Sequence, residues 1–456
     1  MSVDPAPRRG WCPGLARPMP TGDGLLVRLH PVSGRLSAGQ VRAAARAARE
    51  GGNGLLDVTA RGNLQIRGVT AESHGRVVDI LAEAGLGDAR HDGGPQRLTL
   101  DAPLAGADVL AVVAAVEAIG REVVGLPAKT LVAVEDAAGG LGPVEADVWV
   151  RVAFDAGCRL TSMSPYQARD VSSPRPRGEE TRTWRRAMSE GAEDKLFPAL
   201  RLAIATPAAP LWLAPMPAPA ALATLRTLLQ GLATSGARRM RALPDAKRGA
   251  LLDGLERGDA PPAGTVHPAG LHGRTLLAEL PFGRCDAALL DRLAAWSERY
   301  GDGHIALTPS RGVALTARDE STAARLRDEA AGLIVDPADP RRAVAACPGA
   351  PACASGGTPA QGDAPRLAAA FAAFSREGAT AHVSGCPKGC AHPGPATLTL
   401  VGRPDGRYGV VLDGQAGTDT DRVLTFGAVL ERLESLRDLS SPWAETGLRD
   451  AFREPA

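Results

Sequence analysis

The chain repeats itself at half-length, and this limits its possible folds more than any other feature. Residues Gly24–Val69 read GLLVRLHPVSGRLSAGQVRAAARAAREGGNGLLDVTARGNLQIRGV, and Gly273–Ala317 read GRTLLAELPFGRCDAALLDRLAAWSERYGDGHIALTPSRGVALTA. Each block runs strand, loop, amphipathic helix, glycine-bounded turn, strand, tight Arg-Gly turn, strand. Helices are expected at Ser37–Glu50 and Asp286–Tyr300, with Ser37 as an N-cap and Gly51 and Gly301 closing the C-termini. The strands Leu55–Thr59 and Ile305–Thr308 run into Arg61-Gly62 and Arg311-Gly312, two arginines 250 positions apart. That spacing marks a half-chain duplication. Helices at Ala71–Ala84 and Ser321–Ala331 complete a β-α-β-β-α unit in each half, an open sheet backed by helices.

A larger unit follows in each half. In the first, a helix is expected at Asp108–Gly120 and strands at Thr130–Glu135 and Asp147–Phe154. In the second, a helix is expected at Arg366–Arg376, strands at Thr397–Val401 and Tyr408–Leu412, and a last helix near Arg422–Leu436. Between the halves, Ala205–Gly270 is rich in Ala, Leu and Pro, and Pro261-Pro262 reads as a linker. Ser172–Arg186 is polar and reads as an exposed loop. The expected division is therefore 20–95, 96–262, 263–336 and 337–456, in keeping with 456 residues being too many for one core.

Composition narrows the partners. A hydrophobic content of 44%, 23% charged residues and a formal charge of +1 fit a soluble globular protein and exclude a nucleic-acid polyanion as the main partner. Aromatic residues, at 4%, are too few for a base-stacking platform. The N-terminal MSVDPAPRRGWCPG shows no apolar run and so no signal peptide. The most apolar stretch, Phe197–Leu225, holds Arg201 and six prolines and cannot be an uninterrupted membrane helix. A cytoplasmic protein with no membrane partner is expected.

Only the second half carries the densest chemical motif, AACPGAPACASG followed by HVSGCPKGCAHPGP. Its four cysteines, Cys347, Cys353, Cys386 and Cys390, form a C-x5-C and a C-x3-C pair on two Gly/Pro-rich loops. A [4Fe–4S] cluster needs one soft thiolate per iron and backbone N–H groups close to its sulfurs. Zinc also takes four thiolates, though its paired ligands usually stand two to four residues apart. A disulfide pair is the other alternative, disfavoured in a chain without a secretion signal. Cys12, Cys158 and Cys285 are isolated and read as structural or incidental.

Several motifs together resemble the nitrite/sulfite reductase superfamily. They are T-x-R-x-N-x-Q at Thr59–Gln65, R-x-x-x-x-x-P-L-A-G at Arg97–Gly106, L-P-x-K at Leu126–Lys129, the repeated unit and the two cysteine pairs. The resemblance covers nearly the whole chain and is weakest over Cys158–Gly264. It implies a mixed α/β (α+β) fold with a pseudo-two-fold: two ferredoxin-like half-domains that pair, plus two larger α/β domains, the second holding a [4Fe–4S] cluster beside a tetrapyrrole. In siroheme reductases of this superfamily, basic residues on these motifs bind tetrapyrrole carboxylates and a small anion. The matching positions here are Arg61, Arg97 and Lys129, with Arg67, Arg311 and Lys388 as further candidates.

Departures from the reductase pattern matter as much as the matches. The fourth basic position is Leu131, the preceding one is Ala128, and Lys388 stands where assimilatory reductases carry Asn. Loss of cations where sulfite or nitrite would bind argues against anion reduction. With WCPGLARPMPTGDGLLVRLHPVSGRL, DAPLAGAD and SGCPKGCAHPGPATLTLVG, the resemblance turns to a branch whose tetrapyrrole is the substrate, in aerobic cobalamin biosynthesis. That branch implies an oxygen-dependent monooxygenase taking precorrin-3A and O2, hydroxylating C-20 and closing a γ-lactone. Electrons come from an external reductant or electron-transfer protein. It also implies a mononuclear non-haem iron, for which no 2-His-1-carboxylate set is legible, so no catalytic residue is assigned. The alternative is a siroheme nitrite or sulfite reductase, in which Cys390 would bridge cluster and haem iron. His392 has loop-orienting, substrate-touching and capping roles open to it; His382, His304 and His30 read as structural.

Overall fold

The computed structural model describes residues 12–152, 199–262, 264–420, 422–436 and 444–453. The repeat appears as two small antiparallel sheets sharing one core. Ser37 caps the helix Ala38–Gly51 by a capping box: its hydroxyl accepts from the Gln40 N–H at 3.3 Å, and the Gln40 side chain accepts from the Ser37 N–H at 3.0 Å. Asp286 caps the helix Ala287–Tyr300 by accepting from the Leu289 N–H at 2.8 Å. The apolar faces of these helices, with Ala44, Ala45, Ala47 and Ala48 of the first and Leu290, Leu293 and Ala294 of the second, are buried in a common cluster. Salt bridges Arg42–Glu298 and Arg49–Asp291 straddle the contact at its rim.

The two sheets exchange strands. The first runs Met19–Thr21, Gly24–Leu29, Leu64–Val69, Leu55–Val58 and then Arg284–Asp286, a strand from the other half. The second runs Gly270–His272, Thr275–Glu279, Gly312–Thr316, His304–Leu307 and then Arg35–Ser37, a strand from the first half. Neither small sheet is complete without its counterpart. Leu36 and Cys285, the middle residues of the exchanged strands, are buried in the shared core. Three-residue strands are too short to show an alternating pattern, so this exchange was invisible in the sequence.

Each larger unit has one sheet of matching topology. Thr99–Asp101, Val132–Glu135, Val148–Val152, Leu200–Ile204 and Leu211–Trp212 are paired in that order, as are Val344–Ala346, Ala381–Ser384, Ala396–Gly402, Tyr408–Gly414 and Arg422–Leu424. In both, the first two pairings are parallel and the last two antiparallel. Registering Thr99 on Val344 through their partners places Ala102 of the first half where Cys347 stands in the second. Helices Ala107–Glu122 and Ala218–Ala233 share a core with the first of these sheets, and Ala360–Ala370 and Phe426–Ser435 with the second.

Several expectations are corrected. Ala205–Gly270, for which no elements were expected, supplies the edge strand Leu211–Trp212 and helices Ala218–Ala233 and Asp245–Leu252. Only its end crosses between halves, where the Thr265 N–H donates to Ala138 O at 2.9 Å. Arg422–Leu424 is a strand rather than a helix start, because Thr425 caps the following helix through the Ala428 N–H at 3.2 Å. The helix expected at Arg366–Arg376 begins at Ala360, and a further one, Ala444–Arg453, was not anticipated. Ser172–Arg186 and Cys158 lie outside the described residues. Among the described residues, no helix is long and apolar enough to cross a membrane.

Candidate functional site

The first half builds a cationic cavity of about 240 Å³. Strand Gly24–Leu29 and the residue after it supply Arg28 and His30, and the turn between Leu55–Val58 and Leu64–Val69 supplies Arg61 and Asn63. Thr99 opens the first strand of the larger sheet, with Gln96 and Arg97 just before it, and Ala128, Lys129 and Leu131 come from the turn before its second. Cys12 completes the wall, its thiol donating to Ala128 O at 3.5 Å. Three residues expected to act together, Arg61, Arg97 and Lys129, do meet here.

Among the described residues, four cations line this wall and no carboxylate does. Arg97 is buried and held by backbone alone, donating to Pro31 O at 2.7 Å and Gly62 O at 3.3 Å. Arg28 donates to Gln65 Oε1 at 3.0 Å, while its buried Nε has no partner among the described residues. The buried amide oxygen of Asn63 is also unpaired among the described residues. Burial lowers the pKa values of Arg28, Arg61 and Arg97, yet guanidinium remains charged at neutral pH. His30 behaves differently: burial, then Arg28, Arg97 and Arg61, holds its pKa at about 3. It is a neutral hydrogen-bonding ring among cations. Such a wall suits a ligand bearing several carboxylates, because anionic oxygen relieves both the orphaned Nε–H of Arg28 and the clustered like charges.

Sequence reasoning missed Arg28 and assigned His30 to structure. The signal available was weak: R-x-H places both side chains on one face of a strand, but only the folded turn shows that this face meets Arg61. Arg67 is corrected the other way. It is 2% exposed, pairing with Asp23 at 3.0 Å and Asp57 at 3.2 Å and donating to Ala352 O at 2.6 Å. With Arg284 also on Asp57, it is an internal brace rather than a ligand contact.

The second half gathers the cysteines. Cys347 directly follows the strand Val344–Ala346, and its sulfur accepts the Gly385 N–H at 3.0 Å. Cys386 follows the strand Ala381–Ser384, and the Ser384 hydroxyl donates to Cys386 O at 2.7 Å. Cys353 closes a turn, donating its N–H to Gly349 O at 2.7 Å. Burial raises the thiol pKa values of both Cys386 and Cys390. Cys353 and Cys347 raise Cys386 further, and Cys386, Cys347 and Cys353 do the same to Cys390. All four sulfurs therefore share one electrostatic neighbourhood. Among the described residues, no three His, Cys, Asp or Glu are grouped as tightly as a single ion's ligands, which for zinc lie roughly 2.3 Å from the metal.

The cysteine loops fit an iron–sulfur cluster in donor type and in backbone. With Cys386 and Cys390 raised by burial and by their neighbouring thiols, metal charge would be needed for this set to ionise together. A Cβ on Gly385 would lie 2.8 Å from Gly349 Cα, so the two loops touch through bare backbone. Each loop is gripped by an arginine from a small sheet. Arg67 holds the first at Ala352, and Arg311 holds the second by donating to Ala391 O at 2.9 Å. Lys388 ties loop to loop, its ammonium donating to Ser355 Oγ at 3.1 Å. Arg311 and Lys388 thus stand on the cysteine loops and do not line the cationic cavity.

Comparison with known proteins is consistent with this architecture. The model of the nitrite/sulfite reductase ferredoxin-like half domain matches residues 17–84 and 270–333, one copy per half. A precorrin-3B synthase from Sinorhizobium sp is 33% identical over 422 residues, covering 90% of this chain and 84% of the relative. The chain belongs to the precorrin-3B synthase family. The solved structure of the Mycobacterium tuberculosis NirA protein superposes with a TM-score of 0.62 at 20% identity, covering 93% of this chain and 85% of that one. At that identity it shows the nitrite/sulfite reductase-like fold, which this precorrin-3B synthase family member shares. Among the described residues, the cysteine loops and the cationic cavity lie in opposite halves of the duplication.

Proposed function

We propose that this chain is an oxygen-dependent oxidoreductase that converts precorrin-3A to precorrin-3B, with Arg28, Arg61, Arg97 and Lys129 receiving carboxylate arms of the substrate. The observation that carries this reading is the acid-free cationic wall. At about 240 Å³ the cavity is smaller than the roughly 300–1,000 Å³ of ordinary small-molecule sites, so it suits acid arms at one edge of a macrocycle. Leu131, buried at this wall where a reductase would place a cation, supports a substrate edge rather than a small free anion.

In the proposed reaction one atom of O2 enters the substrate as the C-20 hydroxyl, and a ring-A acetate closes the γ-lactone. The other oxygen atom leaves as water, with two electrons and two protons from an external reductant. Cys347, Cys353, Cys386 and Cys390 are the proposed ligands of a [4Fe–4S] cluster, which when bound supplies electrons singly. The arginines orient the polyanion and neutralise its charge, and their forked donors pair with carboxylates two bonds at a time. His30, uncharged, adds a hydrogen bond without adding repulsion. Lys388 and Arg311 fix the spacing of the cysteine loops and, in this proposal, touch the tetrapyrrole only from that side.

The test is aerobic incubation of the anaerobically purified protein with precorrin-3A and a reductant, using mass analysis under 18O2. A product heavier by one labelled oxygen supports the proposal. Unchanged precorrin-3A, together with reduction of nitrite or sulfite by the same preparation, would replace it with the siroheme-reductase reading.

A further inference from the structure

His382 is 0% exposed, and neither of its ring nitrogens has a hydrogen-bond partner among the described residues. An orphaned buried polar group costs about 1–3 kcal/mol, and both residues flanking it, Ala381 and Val383, are buried and apolar. The position of the ring says where its missing partner lies. The strand Ala381–Ser384 is separated from Cys386 by Gly385 alone. The ring carbon between the two nitrogens, Cε1, is 3.8 Å from where a Cβ on Gly389 would stand. Gly389 has φ +60°, which favours glycine, and immediately precedes Cys390. The nitrogen-bearing edge of His382 therefore faces the second cysteine loop.

The neighbours do not satisfy it. His392 lies edge-on, with ring centroids 5.8 Å apart, but its Nε2 is already paired with Pro395 O at 3.0 Å. The Arg311 guanidinium is engaged with Ala391 O. We infer that His382 is a positioning residue for the iron–sulfur site, donating one ring N–H to a sulfur of the cluster or to the Cys390 thiolate. This rests on the proposal that the four cysteines are cluster ligands. A hydrogen bond to such a sulfur stabilises the more negative, reduced cluster and raises its potential.

The experiment compares wild type, His382→Phe and His382→Asn, each purified anaerobically as holoprotein, by iron and sulfide content and by redox titration. Phenylalanine keeps the buried ring but removes both nitrogens. The expected result is full iron and sulfide in His382→Phe with the reduced-to-oxidised ratio at a given potential down about tenfold, a shift of about 59 mV for one electron. His382→Asn recovers part of that shift. In 15N-histidine-labelled wild type, pulsed EPR of the reduced cluster shows a 15N coupling, a readout that holds even if His382→Phe fails to fold. A loaded His382→Phe at the wild-type potential, or no 15N coupling, overturns the inference and leaves the ring paired with buried water. A wild type without iron and sulfide fails earlier, at the cluster proposal itself, and takes this inference with it.

Discussion

Gly62 and Arg311 occupy the same place in the two halves. Their φ angles are 60° and 61°, and each donates its N–H to a threonine carbonyl three residues back, Thr59 at 2.9 Å and Thr308 at 3.1 Å. Aligning the two Arg-Gly pairs in sequence is therefore off by one residue in space. Arg61 is the structural counterpart of Ser310, and Arg311 is an arginine placed where the first half has glycine. One turn points its arginine at the cationic cavity, and the other points its arginine at the cysteine loop.

This difference makes the two turns respond oppositely to substitution. Gly62→Ala forces a Cβ to 2.8 Å from Leu307 O at a left-handed φ, and its expected cost is about 1–3 kcal/mol of unfolding free energy. Arg311→Gly relieves the backbone but frees the second cysteine loop. Its stability in denaturant should stay within about 1 kcal/mol of wild type, while iron is lost to a chelator several-fold faster. Equal iron retention would show that the Ala391 contact does not hold the loop.

Arg61→Ala and Arg28→Ala should each weaken anaerobic precorrin-3A binding by about ten- to a hundred-fold, since a hydrogen bond to a charged group contributes about 1.5–3 kcal/mol. Their thermal midpoints should move little, because neither guanidinium holds an ion pair among the salt bridges of the described residues. Titration followed by absorbance checks the first point and calorimetry the second. An Arg61→Ala protein whose thermal midpoint falls sharply while its binding stays normal would make this arginine structural.

Arg67→Met should behave in the opposite way. It strands Asp23 and Asp57 at the junction of the first small sheet with the cysteine loop. Breaking such a buried pair costs about 3–5 kcal/mol, so the expected result is a large drop in the denaturation midpoint. A drop below 1 kcal/mol would show that Arg284 alone satisfies Asp57.

Acid sensitivity follows from the buried histidines. The native pKa of His30 is about 3 and that of His382 about 4, both below the ordinary 6.5, with burial the leading cause. The unfolded chain therefore binds more protons as pH falls through 6.5, and stability declines from there down toward pH 4. Asp101, raised to about 6 chiefly by burial, works against this, since it takes up its proton more readily when folded. His30→Gln should flatten the stability profile between pH 6.5 and 4 in urea titrations. An unchanged slope would mean that His30 titrates as an exposed ring.

Much of this molecule was legible before folding. The repeat predicted both small units because helix caps and glycine turns are local signals, and Ser37 caps its helix as expected. The meeting of Arg61, Arg97 and Lys129 followed from motif resemblance, and all three line one cavity. What stayed hidden depends on tertiary contact. The exchanged strands Arg35–Ser37 and Arg284–Asp286 exist only through each other's half. The brace at Arg67 depends on Asp23 and Ala352, distant in sequence from it and from each other. The unpaired ring of His382 is a property of its enclosure, and no pattern of neighbouring residues announces it.

The most direct test of the account is the visible absorption spectrum of anaerobically purified protein, read alongside its iron and sulfide content. A broad iron–sulfur absorbance without haem bands is predicted, because the cationic cavity is taken to receive a tetrapyrrole substrate rather than hold a resident cofactor. Intense haem bands that copurify with the chain and persist through gel filtration would contradict it.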